Sequence, residues 1–189
     1  MMHIEFLRSS DRRLLWIRDA LLIVGAAYVL ALSAQVRLLL PFSPVPVTGQ
    51  SLVVLLIGAL MGRKRALSSV GAYLAGGMAG LPFFSGGTLW GPTGGYLLGF
   101  GAAAYLVAAV LDRDWVHHSV RMRTAAVIAA LLAGNLAIYL VGLPWLAAFV
   151  GLRAVLPLGF FPFVIGDLAK LTCAAGIVLG LDQLQARGE

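Results

Sequence analysis

Residues 163–171 read FVIGDLAKL, and the two charges inside this apolar run decide how the chain is built. Asp167 and Lys170 sit in a stretch, 163–181, that is otherwise hydrophobic and of membrane-crossing length, about 20 residues. They are three positions apart, so a helix puts both on one face. At mid-bilayer each charge costs about 2.5–3.5 kcal/mol, and such residues turn to a protein interior or a cavity. A self-neutralising ion pair is the purely structural reading. It is the weaker one, because apolar replacement of a buried pair is often neutral or stabilising. The pair is therefore read as a ligand site. It offers an acceptor and a cationic donor, which suit a small molecule with N–H groups, a carbonyl or a carboxylate.

The rest of the chain is equally apolar. Of 189 residues, 60% are hydrophobic and only 12% charged, with a mean hydropathy of +0.93. A soluble domain carries about twice that charged fraction. Twenty-three glycines suit helices that approach closely in lipid. Six runs read as helices: 20–40, 51–62, 66–80, 94–111, 124–150 and 163–181. The second and third are short for a span. The expected fold is an all-α integral membrane protein, a six-transmembrane-helix bundle forming a single domain over 1–189. Residues 1–19 are expected as a basic cytoplasmic segment, and no cleavable signal peptide is expected.

Lysine and arginine placement orients the bundle. With the N-terminus inside, 11 of the 14 basic residues fall on the cytoplasmic side. Arg37 and Arg153 fall outside, and Lys170 lies in the membrane. Both termini are then cytoplasmic. The same placement accounts for the net charge of +6 without nucleic acid as a partner. Of eight acidic residues, Asp167 alone lies well within an expected span.

The external loops are LPFSPVPVTGQ (40–50), LPFFSGGTLWGPTGG (81–95) and GLRAVLPLGFFPF (151–163). They are rich in proline, glycine and aromatic residues and almost free of charge. Pro44 and Pro46 stiffen the first and keep it extended. Such loops either fold back over the bundle as a lid or lie at the membrane interface, with Trp90 and Phe161 as anchors.

Other polar residues carry paired readings. Asn135, deep in a span, either bonds a ligand or makes an interhelical hydrogen bond. Tyr73 and Tyr96 flank the second external loop as interface anchors or as binding residues. Small residues spaced by four recur at Ala27 and Ala31, Gly58 and Gly62, Gly76 and Gly80, and Gly95 and Gly99. Each permits close packing, and the first pair could instead serve a partner protein. Cys173, the only cysteine, reads as a small buried apolar side chain. Gly62-Arg63-Lys64 lacks the Lys-Ser/Thr ending of a P-loop. His3, His117 and His118 lie outside the spans, so no intramembrane histidine metal site is expected, and His117-His118 reads as a solvated loop. No serine, histidine and acid are placed for nucleophilic catalysis, so no enzyme activity and no cofactor are expected.

PVPVTGQSL (44–52), GAYLAGGMAGLPFF (71–84), GPTGGYLLGF (91–100) and FVIGDLAKL (163–171) together resemble the BioY family. These are biotin-specific substrate-binding S components of energy-coupling factor (ECF) transporters. The resemblance runs over nearly the whole chain. It implies a six-helix bundle in the cell membrane that captures biotin near its external face, with the first loop folded over the site. It implies that Asp167 and Lys170 are the polar pair, with Tyr96, Thr48 and Gln50 near the ligand and Trp90, Phe84 and Phe163 against its apolar ring and tail. Lys170 would meet either the ureido oxygen or the carboxylate. It also implies a transmembrane coupling protein and two ATPase subunits as partners, with docking at Ala27 and Ala31. An S component for thiamine or riboflavin, and a structural membrane protein, are the alternatives.

Overall fold

The structure is a computed structural model that describes residues 2–85, 88–113, 116 and 119–188, with side chains described between 12 and 186. The solvated-loop reading of His117-His118 lies outside the described residues.

The first helix, α1 (Met2–Gln35), is continuous. No glycine or proline interrupts it before Gly25, so residues 2–19 run on into the same helix. It also stops earlier than expected. Pro41, Pro44 and Pro46 exclude helix beyond it, and the chain forms a small antiparallel hairpin instead. Strand β1 (Arg37–Leu38) pairs with β2 (Val47–Thr48), Arg37 opposite Thr48 and Leu38 opposite Val47. The fold is thus mostly helical, with one hairpin in the first loop where an all-α chain was expected.

Helix α2 (Gln50–Met78) contains a reversal. Gly62 adopts φ 71°, ψ 161°, a region essentially open only to glycine. Gln50 Nε2 nevertheless donates to Tyr73 Oη at 2.5 Å. A straight helix would hold these positions roughly 35 Å apart. The arms 50–61 and 63–78 therefore lie alongside each other, turning at the basic triplet Arg63-Lys64-Arg65.

Helix α3 (Gly94–Leu111) and helix α4 (Val120–Val150) follow. Ser119 caps α4 by accepting from Met122 N at 3.2 Å, satisfying an otherwise orphan donor. The short α5 (Val155–Gly159) and one 3-10 turn (Phe161–Phe163) lead into α6 (Val164–Gly188). The segments Arg12–Gln35, Gly94–Leu111, Val120–Val150 and Val155–Ala186 are each long and apolar enough to cross a bilayer. The chain is a multi-pass membrane protein.

Helices α2, α3 and α4 form the packed centre, with α1 against α2 and α6 against α2 and α4. The α3–α4 approach depends on Gly99, where a methyl would lie 2.9 Å from the Ile138 backbone. Ala27 and Ala31 are buried within the core with Leu30. The structure spends this pair on internal packing, so neither presents a surface to a partner in this conformation. Cys173 is exposed on the outer face of α6 and not buried as expected, because α6 packs on only one side and residue 173 falls on the other.

The two ends of the bundle are tied differently. One end carries ion pairs between helices: Arg65–Asp19 at 2.8 Å, Arg63–Asp112 at 3.1 Å and Arg123–Asp182 at 2.8 Å. At the other end the loops bond to one another's backbone. Gln35 Nε2 donates to Pro82 O at 2.9 Å, and the Arg37 guanidinium donates to Ser85 O. Ser43 Oγ donates to Leu158 O at 2.7 Å, and Trp145 Nε1 to Gly91 O at 3.0 Å.

Candidate functional site

A cavity opens beneath these loops. Its polar centre is built on α6. Pro162 in the 3-10 turn ends the preceding segment, and Asp167 falls in the first turn of α6. Asp167 is thus nearer a helix N-terminus than mid-span, where exposed N–H groups and the helix dipole favour an anion. Lys170, one turn on, shares its face and donates to Asp167 Oδ1 at 3.3 Å.

Neighbouring helices complete the network. From α4, Asn135 Nδ2 donates to Asp167 Oδ2 at 3.4 Å, and the Tyr139 hydroxyl donates to the same oxygen. These two residues are four apart, hence on one helix face. From α2, Ser51 Oγ accepts from Lys170 Nζ at 3.0 Å. Asp167 is buried and holds three donors. Its charge is therefore partnered on both oxygens, as a buried carboxylate requires.

The apolar walls come from α3, α4 and the 3-10 turn. Tyr96, Leu97 and Phe100 face Ile138 and Phe163 across the space. Tyr96 is held by donating to Gly159 O at 2.9 Å, and Tyr139 packs edge-on to Phe160 with centroids 4.9 Å apart. The first loop supplies the roof through Val45, Pro46 and Thr48. Thr48 Oγ1 donates to Gln50 Oε1 at 3.1 Å, and Gln50 is fixed in turn on Tyr73.

Asp167, Lys170, Asn135, Tyr96, Thr48, Gln50 and Phe163 all line this one cavity. Phe84 and Trp90 do not. Phe84 is buried against Tyr73, ring centroids 5.4 Å apart, in the space left by the missing side chain of Gly77. Trp90 is 71% exposed and leans on Trp145. Tyr73 acts behind the wall as the acceptor for Gln50. Two residues in the network went unread in the sequence, Tyr139 and Ser51. Tyr139 carried a usable signal, its spacing of four from Asn135. Ser51 carried none, since its partner lies on α6, 119 positions away.

Residues 5–187 match the family model described as the BioY family. A probable biotin transporter BioY of Pyrococcus horikoshii is 35% identical over 165 residues, covering 85% of this chain and 93% of that protein. The biotin transporter BioY of Thermotoga maritima is 36% identical over 152 residues, covering 77% and 86%. Among solved structures, the S-component for biotin from an ECF-type ABC transporter superposes with a TM-score of 0.73 at 25% identity, over 88% of this chain and 92% of that one. With the match spanning nearly every residue, this chain belongs to the BioY family.

Proposed function

We propose that the chain takes up biotin, as the substrate-binding membrane subunit of an ECF-type transporter. It is a transporter component and not an enzyme, as its family is. The observation that carries the reading is the Asp167–Lys170 pair, held by Tyr139, Asn135 and Ser51 at the polar centre of an apolar-walled cavity. Biotin has an ureido ring with two N–H donors and a carbonyl, an apolar thiophane ring, and a tail ending in a carboxylate. Asp167 Oδ1 carries one protein donor and retains capacity for a ureido N–H. Lys170 retains a third N–H for the ureido oxygen or the carboxylate. Tyr96, Phe100, Ile138 and Phe163 pack on the apolar parts. Thr48, Gln50 and the amide of Asn135 complete the polar rim.

The topology that fits this role has six spans with both termini in the cytoplasm of the cell membrane. The reversal at Gly62 supports that count, since each arm of α2 then serves as one short span. The concentration of basic residues at the ion-paired end supports that orientation. The whole chain then acts as one membrane domain. In this reading a transmembrane coupling protein and two ATPase subunits supply energy, which the likeness to the S-component of an ECF-type ABC transporter supports.

The test is purification in mild detergent, followed by mass spectrometry of the bound small molecule and calorimetry after its removal. Biotin is the expected ligand, and Asp167→Asn is expected to abolish its binding. A different bound vitamin, or unchanged binding in Asp167→Asn and Lys170→Ala, overturns the reading.

A further inference from the structure

The loop end of the bundle presents an outer surface unlike a water-facing one. In the first loop Leu38, Leu39 and Phe42 are exposed, Leu39 by 67% and Phe42 by 57%. Beyond α4, Leu152 is 84% exposed, Phe161 is largely exposed and Ile165 is 83% exposed. Hairpin register explains Leu38. Successive strand residues point to opposite faces. Arg37 and Thr48 share the face turned to Ser85 and the cavity, so Leu38, opposite Val47, faces away.

The two groups are neighbours. The Ser43–Leu158 hydrogen bond fixes the hairpin tip against α5, bringing Phe42 beside the segment that leads to Phe161. Between residues 36–50 and 151–163 the only charged residues are Arg37 and Arg153. The Arg37 guanidinium is already engaged by Ser85 O. Large apolar side chains are also exposed on the adjoining sides of the bundle, Leu32 on α1 and Leu168 on α6. Those sides belong to helices that cross the bilayer. Contiguous exposed apolar surface of this kind marks an interaction site. Its place beside the lipid-facing belt, together with the lack of free charge, selects lipid as its occupant.

We propose that this rim, the lid hairpin included, is seated in the outer boundary of the bilayer. The hairpin is then a membrane-interfacial lid whose inner face covers the cavity and whose outer face rests among acyl chains and headgroups. Arg153 is placed to reach a headgroup phosphate from the same rim. Opening the lid moves apolar side chains relative to lipid, so its rate depends on the bilayer. This holds whichever ligand the cavity takes.

Spin labelling tests the proposal on the full chain in vesicles of phosphatidylcholine and phosphatidylglycerol. Leu39→Cys and Phe42→Cys are labelled singly in a Cys173→Ala background. Ile177→Cys on α6 is the lipid-facing control, and Lys64→Cys at the opposite end is the water-facing one. Collisions with oxygen, which concentrates in lipid, are compared with collisions with a water-soluble nickel chelate. Labels at 39 and 42 are expected to match position 177, with nickel collisions several-fold below those at 64. Nickel collisions as frequent as at 64 would overturn the proposal. Protection from both reagents would also overturn it, by showing that protein, such as a second copy, covers the rim. Leu152→Cys gives the same reading from another segment should a loop variant fail to fold.

Discussion

Gln50 Nε2 donates to Tyr73 Oη at 2.5 Å across 23 positions of α2, which is possible only because the helix reverses at Gly62. The bond sits behind the cavity wall and holds Gln50 beneath the lid. Tyr73→Phe keeps the ring against Phe83 and Phe84 but leaves a buried amide N–H without its acceptor. The expected cost is about 1–3 kcal/mol, read as a lower midpoint of thermal unfolding in detergent. An unchanged midpoint would show that Gln50 finds another partner.

Gly62→Ala addresses the reversal itself. A side chain at φ 71°, ψ 161° costs on the order of 1–3 kcal/mol. A Cβ there would meet only the Asp112 carboxylate, at 3.8 Å, so the loss comes from backbone strain and not from crowding. Reduced yield of folded protein with normal ligand affinity in the surviving fraction is the expected result.

Asp167 and Lys170 can be separated as a fold element and as a binding element. Lys170→Met alone strands a buried carboxylate and is expected to destabilise by about 3–5 kcal/mol. Adding Asp167→Leu should restore most of that stability, since apolar replacement of a buried pair is often neutral. Ligand binding should stay lost in the double variant. Thermal unfolding and calorimetry on the same samples decide it, and retained binding in the double variant would remove the pair from the site.

Tyr139→Phe deletes a hydroxyl that bonds Asp167 without altering the ring packing on Phe160. Hydrogen bonds to charged groups contribute about 1.5–3 kcal/mol, so binding should weaken by roughly ten- to a hundredfold. Ser51→Ala should act similarly through Lys170. Equilibrium titration with labelled ligand measures both.

Trp90→Ala and Phe84→Ala should part company. The Trp90 side chain lies outside the cavity, so its removal is expected to leave affinity within about twofold, a change near 0.4 kcal/mol. Phe84 is a buried ring, and its loss should cost about 3–5 kcal/mol of stability with little direct effect on binding. A large affinity loss in Trp90→Ala would indicate that the second loop closes further over the ligand.

Most of the site was legible before the fold was known. Two charges in an apolar run are costly enough to declare a cavity, and seven of the nine residues expected near the ligand do line it. Phe84 and Trp90 lie outside it; aromatic residues in an uncharged loop look alike in sequence, whether they face a cavity, a neighbour or the outside. Tyr139 was marked only by its spacing of four from Asn135, and Ser51 by nothing, because a neutral tyrosine or serine in a helix carries no charge cost to betray it.

By itself, then, the sequence determined what solvation energy controls: which runs enter lipid, where the helices end at prolines and glycines, and that Asp167 and Lys170 need an enclosed polar setting. Only the tertiary structure decided how those needs are met. It turned α2 back on itself at Gly62, buried Ala27 and Ala31 inside the bundle, and brought Ser51, Asn135 and Tyr139 from two other helices onto one ion pair. Solvation acts on each segment alone and is written in local composition. Hydrogen-bond partners far apart in the chain depend on how helices pack, and that no local pattern records.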